Sequence, residues 1–149
     1  MIAALQPAAL SETSLESAMT RMADNFAATG GVDVSVDVEG DVQQLPMKVE
    51  AALLRIAQGA MGNVVKHAHA SKARVTVTYA PDEVRVDVVD NGDGFDVEAV
   101  ESKPAGLGHI GLSAMRRRAE ELGGEVVIES TPGSGTAVSV SVPLDNDVD

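Results

Sequence analysis

Apolar residues in this chain recur with two periods, and the switches between them mark out its elements. From Leu15, the positions Ala18, Met19, Met22 and Phe26 fall three to four apart, which predicts a helix ending near Gly30 and Gly31. Val32, Val34, Val36 and Val38 then alternate with polar residues, predicting a strand, and residues 40–45 read as a loop. Pro46 suits the first turn of a second helix, in which Leu53, Ile56, Ala57, Ala60, Met61, Val64, Val65 and Ala68 form one apolar stripe. Residues 73–79 alternate again, Pro81 and Asp82 turn the chain, and residues 84–90 return as the second half of an antiparallel hairpin. Residues 96–109 show no period and read as a mobile loop. A third helix follows from about Gly111, with Leu112, Met115, Ala119 and Leu122 as its stripe and Gly123-Gly124 as its stop. Residues 126–128 and 137–142 are the last two strands, joined by a turn at Thr131-Pro132-Gly133-Ser134-Gly135. The methionines at 19, 22, 61 and 115 all fall on helical stripes and are expected in the core.

The hairpin's second strand ends on an informative run, Asp90-Asn91-Gly92-Asp93-Gly94-Phe95. Asp90 follows Val84, Val86 and Val88 at strand period, so a single carboxylate closes an apolar series and faces a loop softened by two glycines. Such a group can accept a hydrogen bond from an amino group in an apolar pocket, the exocyclic amine of adenine being one candidate. The plainer reading is a turn capped by Asp90, since Asp-Asn-Gly is common there. On the second helix, the face opposite the apolar stripe carries Gln58, Gly59, Gly62, Asn63, Lys66 and His67. Two glycines there weaken the helix by about 1 kcal/mol each relative to alanine and leave a groove without side chains. Asn63 can offer an amide oxygen to a hard cation such as magnesium. A third glycine-rich stretch, Gly106-Leu107-Gly108-His109-Ile110-Gly111, runs into a helix N-terminus, where free N–H groups suit phosphate oxygens. The run fits neither a P-loop, which ends in Gly-Lys-Ser/Thr, nor a dinucleotide fingerprint, which follows a strand directly.

Taken in order, these stretches resemble the catalytic ATP-binding domain of two-component sensor histidine kinases, within the gyrase/Hsp90/histidine-kinase/MutL superfamily. Residues 51–68 resemble the N box, 90–95 the first glycine box, 106–112 the second and Gly133-Ser134-Gly135-Thr136 the third. The wording is similar to the subclass that phosphorylates NarL/LuxR-type response regulators, and Leu5-Gln6-Pro7-Ala8-Ala9-Leu10 resembles the junction leaving that subclass's dimerisation helices. The resemblance implies an α/β (α+β) sandwich of the Bergerat type, a mixed sheet of about five strands covered on one face by about three helices. It implies ATP and Mg2+ as ligands, with Asp90 on the adenine amine, Thr136 close by, and Asn63 on the metal. Lys66, His67, Gly92, Gly94, Gly106, Leu107, Gly108, Gly111 and Leu112 complete the binding set, the second glycine box closing over the phosphates.

Gly59 departs from the pattern: the family usually has Glu there, one turn before Asn63, so no catalytic residue is assigned with certainty. His67, His69 and His109 are followed by Ala68, Ala70 and Ile110, whereas the subclass's acceptor histidine precedes an acidic residue. The acceptor is therefore expected on a separate dimerisation and phosphotransfer domain, and this chain alone is not expected to autophosphorylate. The implied division is a linker at 1–11, the ATPase-like domain at 12–144, and a disordered acidic tail at 145–149. A stand-alone anti-sigma-factor serine kinase of the same superfamily and a non-catalytic nucleotide-binding module are the other readings.

Composition narrows the partners. With 11 basic and 23 acidic residues the net charge is −12, which repels nucleic acid and anionic lipid, and two Phe with one Tyr give no base-stacking platform. No cysteine means no thiolate metal site or disulfide. No apolar run is long enough to span a bilayer and nothing resembles a signal peptide, so a cytoplasmic, monomeric domain without direct membrane contact is expected.

Overall fold

A computed structural model of the chain describes residues 15–65, 69–98 and 112–144. Among them lie three helices and five strands: α1 (Leu15–Gly30), β1 (Asp33–Gly40), α2 (Met47–Asn63), β2 (Lys72–Ala80), β3 (Glu83–Asp90), α3 (Leu112–Glu120), β4 (Glu125–Ser130) and β5 (Thr136–Pro143). The strands form one mixed sheet in the order β1-β2-β3-β5-β4. Only β1 and β2 run parallel, as their connection through α2 requires; the β2–β3, β3–β5 and β4–β5 pairs are antiparallel.

One face of the sheet carries the core. Val75, Val77, Val84, Val86, Val140 and Val142 are at most 1% exposed, and α1, α2 and α3 cover them with Leu15, Met19, Leu53, Ile56, Met61 and Leu112. Most of the expected helical stripes are buried where described, including all four methionines, with Ala18, Phe26, Val65 and Leu122 only partly so, and Ala23 joins them at 2% exposed. The opposite sheet face is polar or half-apolar, with Arg85 exposed between Val84 and Val86 and with Val89 and Val127 each 46% exposed. A single-layer cover of helices thus explains the clean alternation of β2 and β3.

Boundaries differ modestly from the sequence reading. α2 begins at Met47, after Pro46, whose carbonyl accepts hydrogen bonds from the amides of Val49 (3.0 Å) and Glu50 (3.1 Å). Gly40 belongs to β1, paired with Tyr79, rather than to the following loop. β4 extends over Glu125–Ser130, because its exposed glutamates at 125 and 129 occupy the solvent side of the alternation and conceal its length in the sequence. The α3 end is closed by the Gly124 amide, which donates to the Ala119 carbonyl at 2.8 Å.

Candidate functional site

The inward-facing series of three neighbouring strands all end in polar residues at the same end of the sheet. On β3 the series is Val84, Val86, Val88, Asp90; on β5 it is Val142, Val140, Val138, Thr136; on β4 it is Val126, Ile128, Ser130. The register sets Ala73 opposite Asp90, Asp90 opposite Thr136 and Thr136 opposite Ser130. Opposed residues project from the same face, so Asp90, Thr136 and Ser130 form one polar rung closing an apolar surface.

Asp90 is 8% exposed and is the only polar or charged residue classed as buried among the described residues. Burial pushes its carboxyl above the ordinary range, and hydrogen bonds from the backbone amides of Gly92 and Thr136 pull it part of the way back. The Gly92 amide donates to Asp90 Oδ1 at 2.8 Å. Both sequence readings of this residue therefore have a physical counterpart: Asp90 caps its own turn and also places a carboxylate at the end of the apolar face.

The loop after Asp90 is pinned on both sides. Asn91 Oδ1 accepts from the amides of Ser71 and Lys72, each at 3.0 Å, while its Nδ2 donates to Ser71 Oγ at 3.0 Å, fastening the loop to the start of β2. Across the loop, His69 Nδ1 lies 2.8 Å from Asp93 Oδ2, both side chains largely exposed. On the other side, Ser130 Oγ accepts from the Phe95 amide at 2.8 Å and donates to the Gly135 carbonyl at 3.0 Å. It also meets Thr136 Oγ1 at 2.8 Å. Gly94 has φ +70°, and a Cβ there would collide with the Thr131 carbonyl oxygen; Gly135 has φ +78°, and its Cβ would strike the carbonyl of Asp90. These two glycines let the first and third glycine-rich turns touch through their backbones.

Of the other candidates, Asn63 is the last residue of α2 and is half-buried, on the helix face shared with exposed Gly59 and half-buried Gly62. A Cβ on Gly59 would lie 3.2 Å from Met115 Cε, the mobile end of a side chain on α3. Leu112 opens α3, with its side chain 1% exposed in the core. Gly92 lies in the pinned loop, and Lys66, His67, Gly106, Leu107, Gly108 and Gly111 lie outside the described residues. Asn91, Ser130, His69 and Asp93 were not singled out from the sequence. Their partners are 5 to 35 residues away, with only Ser71 and Asn91 flanking opposed strand ends as a clue. Among the described residues no group of three or more His, Asp or Glu side chains could hold a metal alone.

Comparison with known proteins accords with this architecture. The family model described as histidine kinase-, DNA gyrase B- and HSP90-like ATPase matches residues 48–146. The chain is 33% identical over 140 residues to the sensor histidine kinase LiaS of Bacillus subtilis, covering 94% of this chain and 37% of that protein. It is also 33% identical over 140 residues to the signal transduction histidine-protein kinase/phosphatase DegS of Brevibacillus brevis, covering 94% of this chain and 35% of that one. The chain thus spans little more than a third of these relatives. Among solved structures, the histidine kinase domain of the Erythrobacter litoralis EL346 blue-light activated kinase aligns with TM-score 0.68 at 21% identity, over 89% of this chain and 66% of that one. The catalytic domain of the histidine kinase ThkA aligns with TM-score 0.66 at 19% identity, over 87% of this chain and 92% of that one. At these identities the two structures speak to the fold.

Proposed function

Because the chain belongs to the histidine kinase-, DNA gyrase B- and HSP90-like ATPase family, we propose that it is the ATP-binding half of a two-component sensor histidine kinase. The observation that carries this reading is the polar rung: one buried carboxylate, bracketed by backbone amides and flanked by a threonine, ends an otherwise apolar sheet face. A flat heteroaromatic base can lie on that apolar surface while its amino group donates to Asp90. On this reading Thr136 stands beside the base, Gly92 and Gly94 shape the loop around it, and Asn63 contributes an amide oxygen to Mg2+. Lys66, His67, Gly106, Leu107, Gly108, Gly111 and the Leu112 amide surround the phosphates. A chain of net charge −12 needs such a cation to hold a triphosphate, and phosphate oxygens would fill the ligand positions that the protein leaves open.

The reaction is transfer to a histidine on a separate dimerisation and phosphotransfer domain. The imidazole nitrogen attacks the γ-phosphorus, the bond from that phosphorus to the bridging oxygen breaks, and ADP leaves. The protein's part is positioning and charge stabilisation. The phosphoryl group then passes to a response regulator, of NarL/LuxR type by the wording of residues 51–68. The working location on this reading is the cytoplasm, whether or not the full-length kinase is anchored in a membrane.

A second reading, nucleotide binding without transfer, draws on Gly59. An exposed glycine, with Met115 Cε 3.2 Å from where its Cβ would be, supplies no carboxylate near Asn63. Single-turnover transfer from γ-labelled ATP to the cognate histidine fragment, wild type against Gly59→Glu, separates the two. The kinase reading predicts transfer that rises at least about tenfold with the restored carboxylate, the scale of one positioned catalytic group. Transfer undetectable in both, with nucleotide still bound, would establish the binding module. Acid-stable phosphoserine on a partner would replace both with the serine-kinase reading.

A further inference from the structure

We infer that Ser130 is a positioning residue that fixes the direction of the Thr136 hydroxyl, making the base pocket a pure acceptor and selecting 6-amino over 6-oxo purines. The inference rests on the reading that a purine base lies against Asp90.

A serine hydroxyl has one proton to donate and two lone pairs to accept with. Ser130 Oγ has three neighbours at hydrogen-bond distance, which fill that capacity. The Gly135 carbonyl, at 3.0 Å, can only accept, so the Ser130 proton goes there. The Phe95 amide, at 2.8 Å, can only donate, so it takes one lone pair. The contact with Thr136 Oγ1 at 2.8 Å is then left with one polarity: Thr136 donates and Ser130 accepts. The two hydroxyls taken alone would allow either direction; the carbonyl and the amide remove the choice.

The consequence falls on the adjoining rung position. Thr136 shares the face of Asp90, opposite it in register, and its own amide bonds the Asp90 carboxylate. With its proton committed to Ser130, the Thr136 oxygen has only lone pairs for a ligand. The pocket therefore presents two acceptors, a carboxylate and a hydroxyl oxygen. An exocyclic amine has two N–H groups to match them, directly or through a water molecule. A 6-oxo purine brings an oxygen acceptor to the same place and leaves acceptors facing one another. Discrimination of this kind is strong when buried polar groups would be left unpaired. Without Ser130 the Thr136 hydroxyl can rotate and donate, and the rejection weakens.

The test uses the full chain with magnesium and compares calorimetric affinities for ADP and IDP, which differ only at purine positions 6 and 1. In Ser130→Ala the ADP-to-IDP affinity ratio should fall by about fivefold or more, the scale of one hydrogen bond. Ser130→Thr, which keeps the hydroxyl, should restore it. Ser130→Cys keeps the size and supplies only a weak donor and acceptor, so it should lower the ratio even if Ser130→Ala fails to fold. A purely structural serine would weaken both nucleotides in parallel. An unchanged ratio in the folded variants, with wild-type ADP binding intact and dependent on Asp90, overturns the role of Ser130 alone. Failure of the wild type to bind ADP, or indifference of binding to Asp90→Asn, overturns the site reading and this inference with it.

Discussion

The two ends of the inward sheet face are built from the same strands and behave as opposites. At one end Tyr79, Val84 and Val142 stand opposite one another; at the other stand Ala73, Asp90, Thr136 and Ser130. Each end buries a titratable group, but the surroundings differ in kind. Tyr79 is 4% exposed and its hydroxyl is pushed up to about 12, first by burial and then by the nearby Glu16 and Glu50. Glu50 is itself raised by desolvation, against a lowering hydrogen bond from the Leu15 backbone. Every cause acting on Tyr79 opposes its charged form, and a group that stays neutral suits that position. Asp90, by contrast, is met by two amide donors. The lesson is that one polar residue per strand, at the last inward position, ends an apolar core in a polar rung while the strands remain ordinary. The cost of the buried carboxylate is held locally by the turn that follows it.

The largest effect that would break this contrast lies in the turns that close the polar end. Gly135→Ala combines a left-handed backbone with a collision against the Asp90 carbonyl, and should destabilise by roughly 3 kcal/mol or more. Gly133→Ala, in the same turn at φ +86° but with nothing within 4 Å of its Cβ, should cost only about 1 kcal/mol. Urea denaturation of both measures the difference. Equal costs would mean that the two glycine turns are not in backbone contact.

Much of this was legible before the structure. Alternation located four of the five strands and a short apolar run at 126–128 the other, and the series Val84, Val86, Val88 pointed to Asp90 as the next inward position. Helical spacing identified the buried stripes of α1, α2 and α3. What stayed hidden was relational. Alternation does not say that β1 runs parallel to β2, which follows from the α2 crossover, nor that β5 inserts between β3 and β4. Ser130 ends a strand whose charged outward residues masked its length, and its hydroxyl bonds residues 6 and 35 positions away. Asn91 read as a turn former, and its role in fastening β3 to β2 depends on register alone.

A smaller effect sharpens the comparison from the apolar end. The folded Tyr79 hydroxyl holds its proton up to about 12, above the ordinary tyrosine value, so the unfolded chain ionises first as pH rises. Stability from this residue is fully present below pH 10 and is lost as pH rises towards 12. Tyr79→Phe should leave stability near neutral pH within about 1 kcal/mol and flatten the decline across that alkaline window. Thermal melts of the two proteins from neutral to alkaline pH provide the check, and an identical alkaline decline in both would assign it elsewhere.

Asp90 is the group proposed to hold the base, and calorimetric titration of wild type and Asp90→Asn with ADP and magnesium tests that role most directly. Losing the charge-assisted hydrogen bond should weaken binding by about 1.5–3 kcal/mol, roughly ten- to a hundredfold. Stability should move the other way. The folded carboxyl sits above its ordinary value, so its ionisation opposes folding above the folded pKa and not below the unfolded one. At pH 7 Asp90→Asn should therefore melt at or above the wild-type temperature, with the gap closing as pH falls towards about 4. Weaker ADP binding in a protein of equal or greater stability is the predicted result; unchanged affinity in the folded variant would contradict the account.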